Sequence, residues 1–278
     1  MKSAFIQLAQ GQLHFLDSQS DGPVIILLHG NSSAAAAFTE QFAEFGEHYR
    51  LLALDLPGHG QSSAIAAAQY SFAGFADTLI EFIEQLQLHD VVLVGHSLGG
   101  HAALEALPQL ANVRGVVLLG APPFNSQLAA QVFHPEPTGG LVFQADLDNQ
   151  QVAHLAAAFV SPSTATEHRL ATLKHFIRAT DPLVRSALGA SLSRGDFADE
   201  LALLAASGVP ALLVLGEDDA FINAKACAQP QVFATTPLQI ALLSGCGHCP
   251  HIEVPQHCND LINAFISTLY ETSPCTLS

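Results

Sequence analysis

The chain has 278 residues, of which 49% are hydrophobic and 12% charged, so it is long and apolar enough to bury a substantial core. Nine Lys and Arg stand against 25 Asp and Glu, which gives a formal net charge of −16 at pH 7. This excess of negative charge repels phosphate backbones and anionic lipid, so we expect neither nucleic acid nor a membrane surface as a partner.

The sequence also lacks the features of a membrane-spanning or exported protein. No apolar stretch approaches the ~20 residues that a helix needs to cross a bilayer. The first ten residues carry one Lys and no long apolar run, so we expect no signal peptide. The odd number of cysteines, five in all, favours reduced thiols. These features predict a cytoplasmic protein without a membrane span.

Short apolar runs alternate with helical patterns from about residue 24 onward. Four such runs, each bounded by turn residues, lie at 24–29, 51–55, 91–95 and 116–119. Because they are apolar throughout, they are typical of strands buried on both faces of a parallel sheet. Apolar residues at spacings of three and four predict a helix over 71–88. Ser71 is its expected N-cap, and Tyr70 with Phe75 its hydrophobic staple.

The pattern changes after Ala121-Pro122-Pro123. Residues 124–206 contain no buried strand pattern and four helical candidates, at 148–160, 166–178, 181–191 and 196–206. They could be ordinary packing helices, but about 80 residues far exceed the connections usual in α/β units, so we interpret them as an inserted helical cap. Strands at 211–216 and 238–243 and a helix over 256–269 then close the sheet domain.

The predicted fold class is therefore α/β, with a mostly parallel central sheet, helices on both of its faces and a helical cap insertion. The first part of the core is expected at 1–122 and the second at 207–270. The cap is expected at 123–206, and residues 271–278 form a tail.

A Gly-x-Ser-x-Gly sequence, Gly95-His96-Ser97-Leu98-Gly99, follows the third apolar run directly. It precedes a helical pattern that reaches about Leu107. A turn this tight between a strand and a helix holds its serine in a strained conformation and leaves room only for glycine on either side. The pentapeptide alone is a weak signal, but this context makes Ser97 the predicted nucleophile.

A serine nucleophile needs a base that accepts its proton. Of the 14 histidines, His248 is the best candidate, because it lies in a glycine-containing loop after the last predicted strand. His251 and His257 follow closely and are the competitors. The imidazole in turn needs a carboxylate. The strand at 211–216 is followed by Glu217-Asp218-Asp219, and spacing alone does not choose among these three acids.

Backbone N–H groups are expected to stabilise the oxyanion that forms when the serine attacks. One donor is the amide of Leu98, immediately after the nucleophile. The second should come from the loop His29-Gly30-Asn31-Ser32-Ser33, in which we choose the amide of Asn31. His29 is interpreted as structural.

Taken together, these residues resemble the α/β-hydrolase superfamily over about residues 20–120 and 207–270. The segment Asp55-Leu56-Pro57-Gly58-His59-Gly60-Gln61-Ser62 is similar to the superfamily's turn after its fourth strand, which is structural, so His59 receives no catalytic role. In that family the acid usually lies three residues after the strand-end glycine, which implies Asp219 rather than Asp218. The chain order Ser97, Asp219, His248 is also the one expected of this fold.

The sequence is also similar to a narrower group within the superfamily. This group contains hydrolases that open the lactone ring of N-acyl-homoserine lactones. The similar segments are His29-Gly30-Asn31-Ser32-Ser33, Ser97-Leu98-Gly99-Gly100-His101, Gly120-Ala121-Pro122-Pro123 and Gly216-Glu217-Asp218-Asp219-Ala220-Phe221. The resemblance implies that the Asn31 side chain binds a carbonyl or amide of the substrate. The cap, which should select the substrate, carries no matching motif.

The predicted reaction is hydrolysis of a carboxylic ester or lactone through an acyl-enzyme, with Ser97, His248 and Asp219 as catalytic triad and no cofactor. Phe124 and Phe221 follow strand ends where pocket walls belong, which favours a small-molecule substrate with an apolar acyl group. A zinc site around Cys246 and Cys249 is not expected, because there is no second C-x-x-C and zinc would occupy the base.

Other activities remain open on the same triad. They are general carboxylesterase, C–C bond hydrolase, perhydrolase and hydroxynitrile lyase chemistry. Haloalkane dehalogenase and epoxide hydrolase chemistry would need an Asp in place of Ser97. A non-catalytic small-molecule binding protein is the alternative outside enzymes.

Overall fold

The computed structural model describes residues 1–135 and 137–271. The predicted tail therefore lies outside the described residues, except for Glu271, where the last helix ends. Nothing in the described part forms a helix long and apolar enough to cross a membrane.

Eight strands of the described chain form one sheet in the order β1-β2-β4-β3-β5-β6-β7-β8. The first two strands pair antiparallel, β2 pairs antiparallel with β4, and the other neighbours are parallel. The strands are β1 Lys2–Leu8, β2 Gly11–Asp17, β3 Val24–Leu28, β4 Arg50–Leu54, β5 Val91–His96, β6 Val113–Leu119, β7 Ala211–Gly216 and β8 Leu238–Leu243.

The α-helices of the described residues lie between and after these strands. They are α1 Thr39–Phe45, α2 Phe72–Gln85, α3 Leu98–Ala106, α4 Ala129–Val132, α5 Asn149–Ala158, α6 Glu167–Ala179, α7 Pro182–Ser193, α8 Glu200–Ser207, α9 Ala224–Cys227, α10 Pro250–Glu253 and α11 Pro255–Glu271. Short 3-10 turns occupy Ala35–Phe38, Ala67–Gln69, Leu107–Gln109 and Leu141–Phe143.

Alternate side chains of the central strands enter two different cores. Ile26 and Leu28 of β3 belong to a core that also contains residues of α2, α3 and α8, whereas Ile25 and Leu27 belong to the core on the other face, with residues of α1 and α11. Successive strand residues point to opposite faces, so a strand covered on both faces must be apolar throughout. This arrangement confirms the predicted mostly parallel sheet with helices on both faces.

The predicted start of α2 is also confirmed. The hydroxyl of Ser71 accepts a hydrogen bond from the Gly74 amide at 3.1 Å, and the rings of Tyr70 and Phe75 lie 6.0 Å apart across it. The helix ends at Gln85, three residues before its expected end.

The antiparallel hairpin β1–β2 was not predicted. Most side chains of β1 are exposed or half-buried, so this edge strand lacks the continuous apolar run by which the inner strands were recognised.

The helices expected between β6 and β7 are present, and one of them begins later than predicted. The last was expected to start at 196 but begins at Glu200, because Asp199 caps it while Asp196 pairs with Arg194. Helix α4 was not predicted. The boundaries of the cap at 123 and 206 stay a prediction, and α8 packs against α3 of the core.

Candidate functional site

The turn between β5 and α3 holds Ser97 in a backbone conformation that serine rarely adopts, with φ 47° and ψ −119°. The glycines around it are required by close packing. A Cβ on Gly95 would lie 2.5 Å from backbone atoms of Gly100, and one on Gly99 would lie 2.3 Å from the carbonyl oxygen of Leu28. The strand and the helix therefore approach as closely as their backbones allow, and Ser97 stands at the apex of the turn.

Two strand ends bring His248 and Asp219 together. Nδ1 of His248 lies 2.8 Å from Oδ2 of Asp219, and both side chains are buried. The other carboxylate oxygen accepts the amides of Phe221 and Ile222 at 2.8 and 3.0 Å, which holds the carboxylate in place. Because a carboxylate accepts hydrogen bonds, Nδ1 carries the proton and Nε2 keeps a lone pair.

The neighbouring acid has a different partner. Oδ2 of Asp218 accepts a hydrogen bond from the Ser161 hydroxyl at 2.8 Å. The structure thus pairs His248 with Asp219, the residue implied by the family resemblance.

Ser97 and His248 line the same cavity, whose volume is about 310 Å³. Its walls are mostly aromatic and aliphatic side chains, and they include both Phe124 and Phe221. No Lys or Arg is among the described residues that line it. The cavity therefore favours an uncharged, largely apolar ligand.

Two backbone amides beside Ser97 have no hydrogen-bond partner among the described residues, those of Leu98 and Asn31. The next amide in the loop, that of Ser32, instead donates to Nε2 of His59 at 3.2 Å. Gly30 packs the loop onto the turn, because a Cβ there would lie 3.2 Å from Cβ of Ser97. The geometry leaves Leu98 and Asn31 as the donors available to a developing oxyanion.

The side chain of Asn31 is engaged within the protein. Its Nδ2 donates to the carbonyl of Val142 at 2.9 Å, and its Oδ1 accepts from the Ser32 hydroxyl at 3.2 Å. The second N–H of this amide has no bond among the described residues, and Asn31 lines the cavity, so the substrate contact implied by the family resemblance stays a prediction.

Two further histidines of this loop system, His29 and His59, are buried and hydrogen-bonded within it. Nε2 of His29 accepts the Leu56 amide at 2.9 Å, and the His29 and His59 rings lie 4.7 Å apart. Burial lowers the pKa of His29 below its ordinary value and that of His59 further. A structural role for both histidines stays a prediction.

The competitors of His248 lie elsewhere. His251 is buried, stacks on Phe38, and has a pKa lowered to about 3, chiefly by burial. His257 lies exposed on α11. Neither residue lines the cavity.

Sequence reasoning missed Glu253, a buried carboxylate that holds the loop of His248. Its Oε2 accepts the amides of Ser161 and Gly247 at 2.7 and 2.9 Å, and its Oε1 accepts the amide of Cys249 at 2.9 Å. The backbone is therefore held on both sides of His248. An acid five positions after the base, within the apolar stretch Ile252–Val254, was the available signal.

His96 adds a second contact to this loop. Its Nε2 lies 2.9 Å from the carbonyl oxygen of His248, so that nitrogen carries the proton and donates it. Burial and neighbouring histidines hold the pKa of His96 well below its ordinary value. The neutral ring connects the turn that bears the serine with the loop that bears the histidine.

Among the described residues, no group of three or more His, Cys, Asp or Glu side chains is arranged to hold a metal ion. Cys246 and Cys249 are both buried and free, and burial raises the pKa of each thiol.

Among solved structures, the fold of this chain is similar to that of a lactonase. Its fold superposes on the N-acyl homoserine lactonase AidH in complex with N-butanoyl homoserine with a TM-score of 0.88 and 26% identity, covering 98% of this chain and 99% of that one.

Two of the curated relatives are named as hydrolases. A 2-hydroxy-6-oxononadienedioate/2-hydroxy-6-oxononatrienedioate hydrolase of Dechloromonas aromatica is 24% identical over 95% of each chain. An (E)-2-((N-methylformamido)methylene)succinate hydrolase of Acinetobacter baylyi is 39% identical over 99 residues, which is 36% of this chain and 37% of the relative.

The model of the α/β-hydrolase family matches residues 25–260, which include β3 from its second residue, β4 to β8, the serine turn and the His248 loop. This range is most of the chain, and the fold agrees with it. The chain therefore belongs to the α/β-hydrolase family.

Proposed function

We propose that this chain is a serine hydrolase that cleaves carboxylic esters or lactones through an acyl-enzyme, with N-acyl-homoserine lactones as its preferred substrates. The observation that carries the proposal is the convergence of a strained serine, a histidine bonded to a carboxylate and two unpartnered amides on one apolar cavity. This is the set of groups that acyl transfer requires.

In the proposed reaction, Ser97 attacks the substrate carbonyl while Nε2 of His248 accepts its proton. Asp219 holds the imidazole in the required tautomer and stabilises its charged form. The amides of Leu98 and Asn31 bind the oxyanion, and each such donor is typically worth ~3–4 kcal/mol at the transition state. His248 then gives the proton to the leaving oxygen, and water releases the acyl group by the same steps. No cofactor takes part.

The cavity lining supports an ester or lactone over the C–C bond hydrolase alternative. The relative from Dechloromonas aromatica is named for dienedioates, which carry two carboxylates. A dianion inside this cavity would find no Lys or Arg among the described lining residues, and the chain as a whole is strongly acidic. A neutral acyl lactone or ester brings no charge into the cavity, so its binding leaves no buried charge without a partner.

The location in the cytoplasm is part of the proposal. Four of the five cysteines, Cys227, Cys246, Cys249 and Cys258, are free and buried, which supports a reducing compartment.

The test compares wild type with Ser97→Ala on p-nitrophenyl esters and on short- and long-chain N-acyl-homoserine lactones. We expect ring opening with kcat/KM above that for the esters, and a loss of about 10⁴-fold or more in Ser97→Ala. Ester cleavage alone would support the carboxylesterase alternative. Equal rates for the two proteins, with no labelling of Ser97 by a fluorophosphonate probe, would favour the binding protein.

The acid is tested by a matched pair of neighbouring substitutions. Asp219→Asn should lower kcat by about 10³–10⁴-fold, because the amide presents a donor to Nδ1 and favours the wrong tautomer. Asp218→Asn, at the residue bonded to Ser161, should change kcat less than about threefold. The reverse pattern would move the catalytic role to Asp218.

A further inference from the structure

A second histidine–carboxylate pair lies in the wall of the same cavity. Nδ1 of His101 is 2.9 and 3.1 Å from the two carboxylate oxygens of Glu200, and the His101 side chain lines the cavity. Both residues are buried, Glu200 completely. The pair does not belong to the proposed triad, and the aromatic side chains of Phe72 and Phe124 lie against it in the wall.

The surroundings hold the His101 ring in one orientation. Phe72 stacks on its face at 4.7 Å and Phe124 meets it edge-on at 5.3 Å. Glu200 is held in turn by the amide of Phe124, which donates to Oε2 at 3.1 Å. Helix α3, which carries His101, is thereby connected to the start of α8.

The other ring nitrogen of His101 is free to meet a ligand. With Nδ1 directed to Glu200, Nε2 has no hydrogen-bond partner among the described residues. A polar nitrogen in an apolar cavity costs free energy unless something bonds to it. A substrate that brings a polar group to this position removes that cost.

The position along α3 sets the distance from the reaction. The amide of His101 bonds to the carbonyl of Ser97, so the two residues are one turn apart in the chain, and both line the cavity. One turn is about 5.4 Å, which is the length of a few carbon–carbon bonds. The bonding group must therefore lie a short way along the acyl chain from the carbonyl that Ser97 attacks.

The chemistry of the pair selects the kind of group. Neutral His101 donates through Nδ1 to Glu200 and accepts at Nε2, whereas protonated His101 donates at both nitrogens. A hydroxyl group can donate to the first form and accept from the second. A carbonyl suits only the protonated form, and a carboxylate would bring a second negative charge near Glu200.

We propose that Nε2 of His101 recognises a hydroxyl group on the acyl part of the substrate, so that among the esters and lactones cleaved at Ser97 those with such a hydroxyl group are favoured. The proposal rests on the proposed function, because it assumes that the cavity holds the acyl chain of a substrate cleaved at Ser97. His101 acts as a specificity-determining residue and takes no part in the bond changes.

The experiment measures kcat/KM for three p-nitrophenyl esters, the hexanoate, the 3-hydroxyhexanoate and the 6-hydroxyhexanoate, each divided by its rate of alkaline hydrolysis. Wild type should cleave at least one hydroxylated ester as well as or better than the hexanoate. His101→Asn keeps a donor near the place of Nδ1 and removes Nε2, so the ratio of hydroxylated to plain ester should fall at least tenfold. Leu192→Ala, elsewhere in the lining, should change all three rates alike.

The outcomes separate this inference from the proposed function. A wild-type ratio below one for both hydroxylated esters overturns the inference alone, and it does so even if His101→Asn fails to fold. An unchanged ratio in a folded His101→Asn also overturns it. Wild type that opens N-acyl-homoserine lactones but cleaves none of the three esters overturns the inference alone, whereas absence of serine-dependent cleavage of both the lactones and the esters overturns both proposals.

Discussion

Two carboxylates determine where His248 stands, and they act on different parts of the residue. Asp219 bonds to the ring, whereas Glu253 bonds to the amides of Gly247 and Cys249 on either side. Glu253 also accepts the Ser161 amide, in the segment between β6 and β7. One buried acid thus holds the loop of His248 and couples it to the segment after α5, so we propose Glu253 as a positioning residue.

Glu253→Gln tests this role. The amide keeps the size of the side chain but offers one acceptor oxygen where two served three backbone amides, so at least one buried N–H loses its partner. We expect a loss of stability of about 1–3 kcal/mol and a fall in kcat of about 10–100-fold, with KM changed less. Thermal unfolding and steady-state kinetics measure both.

The control is Glu217→Gln, which alters an exposed acid after the same strand as Asp219. Glu217→Gln should leave the stability and kcat nearly unchanged. A Glu253→Gln protein that loses stability but keeps its full kcat would reduce Glu253 to a structural residue.

At the scale of elements, the site depends on how closely β5 and α3 approach each other. Their connection is the single residue Ser97, and the parallel neighbours β3 and β6 hold β5 on both sides. Helix α3 is buried along most of its length, so it cannot move outward to accept a larger turn. The strain at Ser97 is maintained by this packing.

Gly95→Ala should disturb that connection. The added methyl group would lie 2.5 Å from backbone atoms of α3, which can yield only if the helix shifts. We expect a destabilisation of about 2–4 kcal/mol and a fall in kcat/KM of at least about 100-fold. Denaturant unfolding and ester hydrolysis provide the measurements.

Gly208→Ala is the matched control at a helix end. Gly208 has φ 63° with nothing within 4 Å of an added Cβ, so its cost is the left-handed conformation alone, about 1 kcal/mol. Activity should be retained. Equal effects of the two substitutions would argue against close packing at the turn.

Across the whole molecule, an acidic chain buries several histidines in their neutral form. Burial lowers the pKa of His29, His59, His96 and His251. Each of these groups is freer to bind a proton in the unfolded chain, whose ordinary histidine pKa is about 6.5. The unfolded state therefore binds more protons below that pH, and stability must fall as the pH decreases from about 6.5.

His251 offers the clearest test, because its two ring nitrogens are buried and have no partner among the described residues. The rings that face it are His96 at 4.6 Å and Phe38 at 4.9 Å. Because the pKa of His251 in the folded protein is about 3, this residue takes up its proton in the unfolded chain alone. Its contribution should lower the free energy of unfolding of wild type by about 2 kcal/mol between pH 6.5 and 5.

His251→Phe removes this contribution. The free energy of unfolding of His251→Phe should therefore decline less steeply below pH 6.5, while the exposed His257→Gln follows wild type. Urea titrations at several pH values check the slopes. Parallel slopes for wild type and His251→Phe would contradict a buried neutral His251.

The sequence by itself determined the features that depend on neighbours along the chain. The inner strands, the capped start of α2 and the serine turn were all predictable, because a continuous apolar run, a Ser N-cap and paired glycines each act within a few residues. The edge hairpin β1–β2 was not predicted, because a half-exposed strand such as β1 has only a weak local pattern in the sequence.

The tertiary structure decided what joins residues distant in sequence. Spacing left Glu217, Asp218 and Asp219 equivalent, and only the approach of two loops pairs Asp219 with His248. The bonds of Glu253 to the amide of Ser161, and of Glu200 to His101, likewise span about a hundred positions of chain. Such contacts exist because the sheet brings its strand ends to one edge, and no local pattern along the chain encodes them.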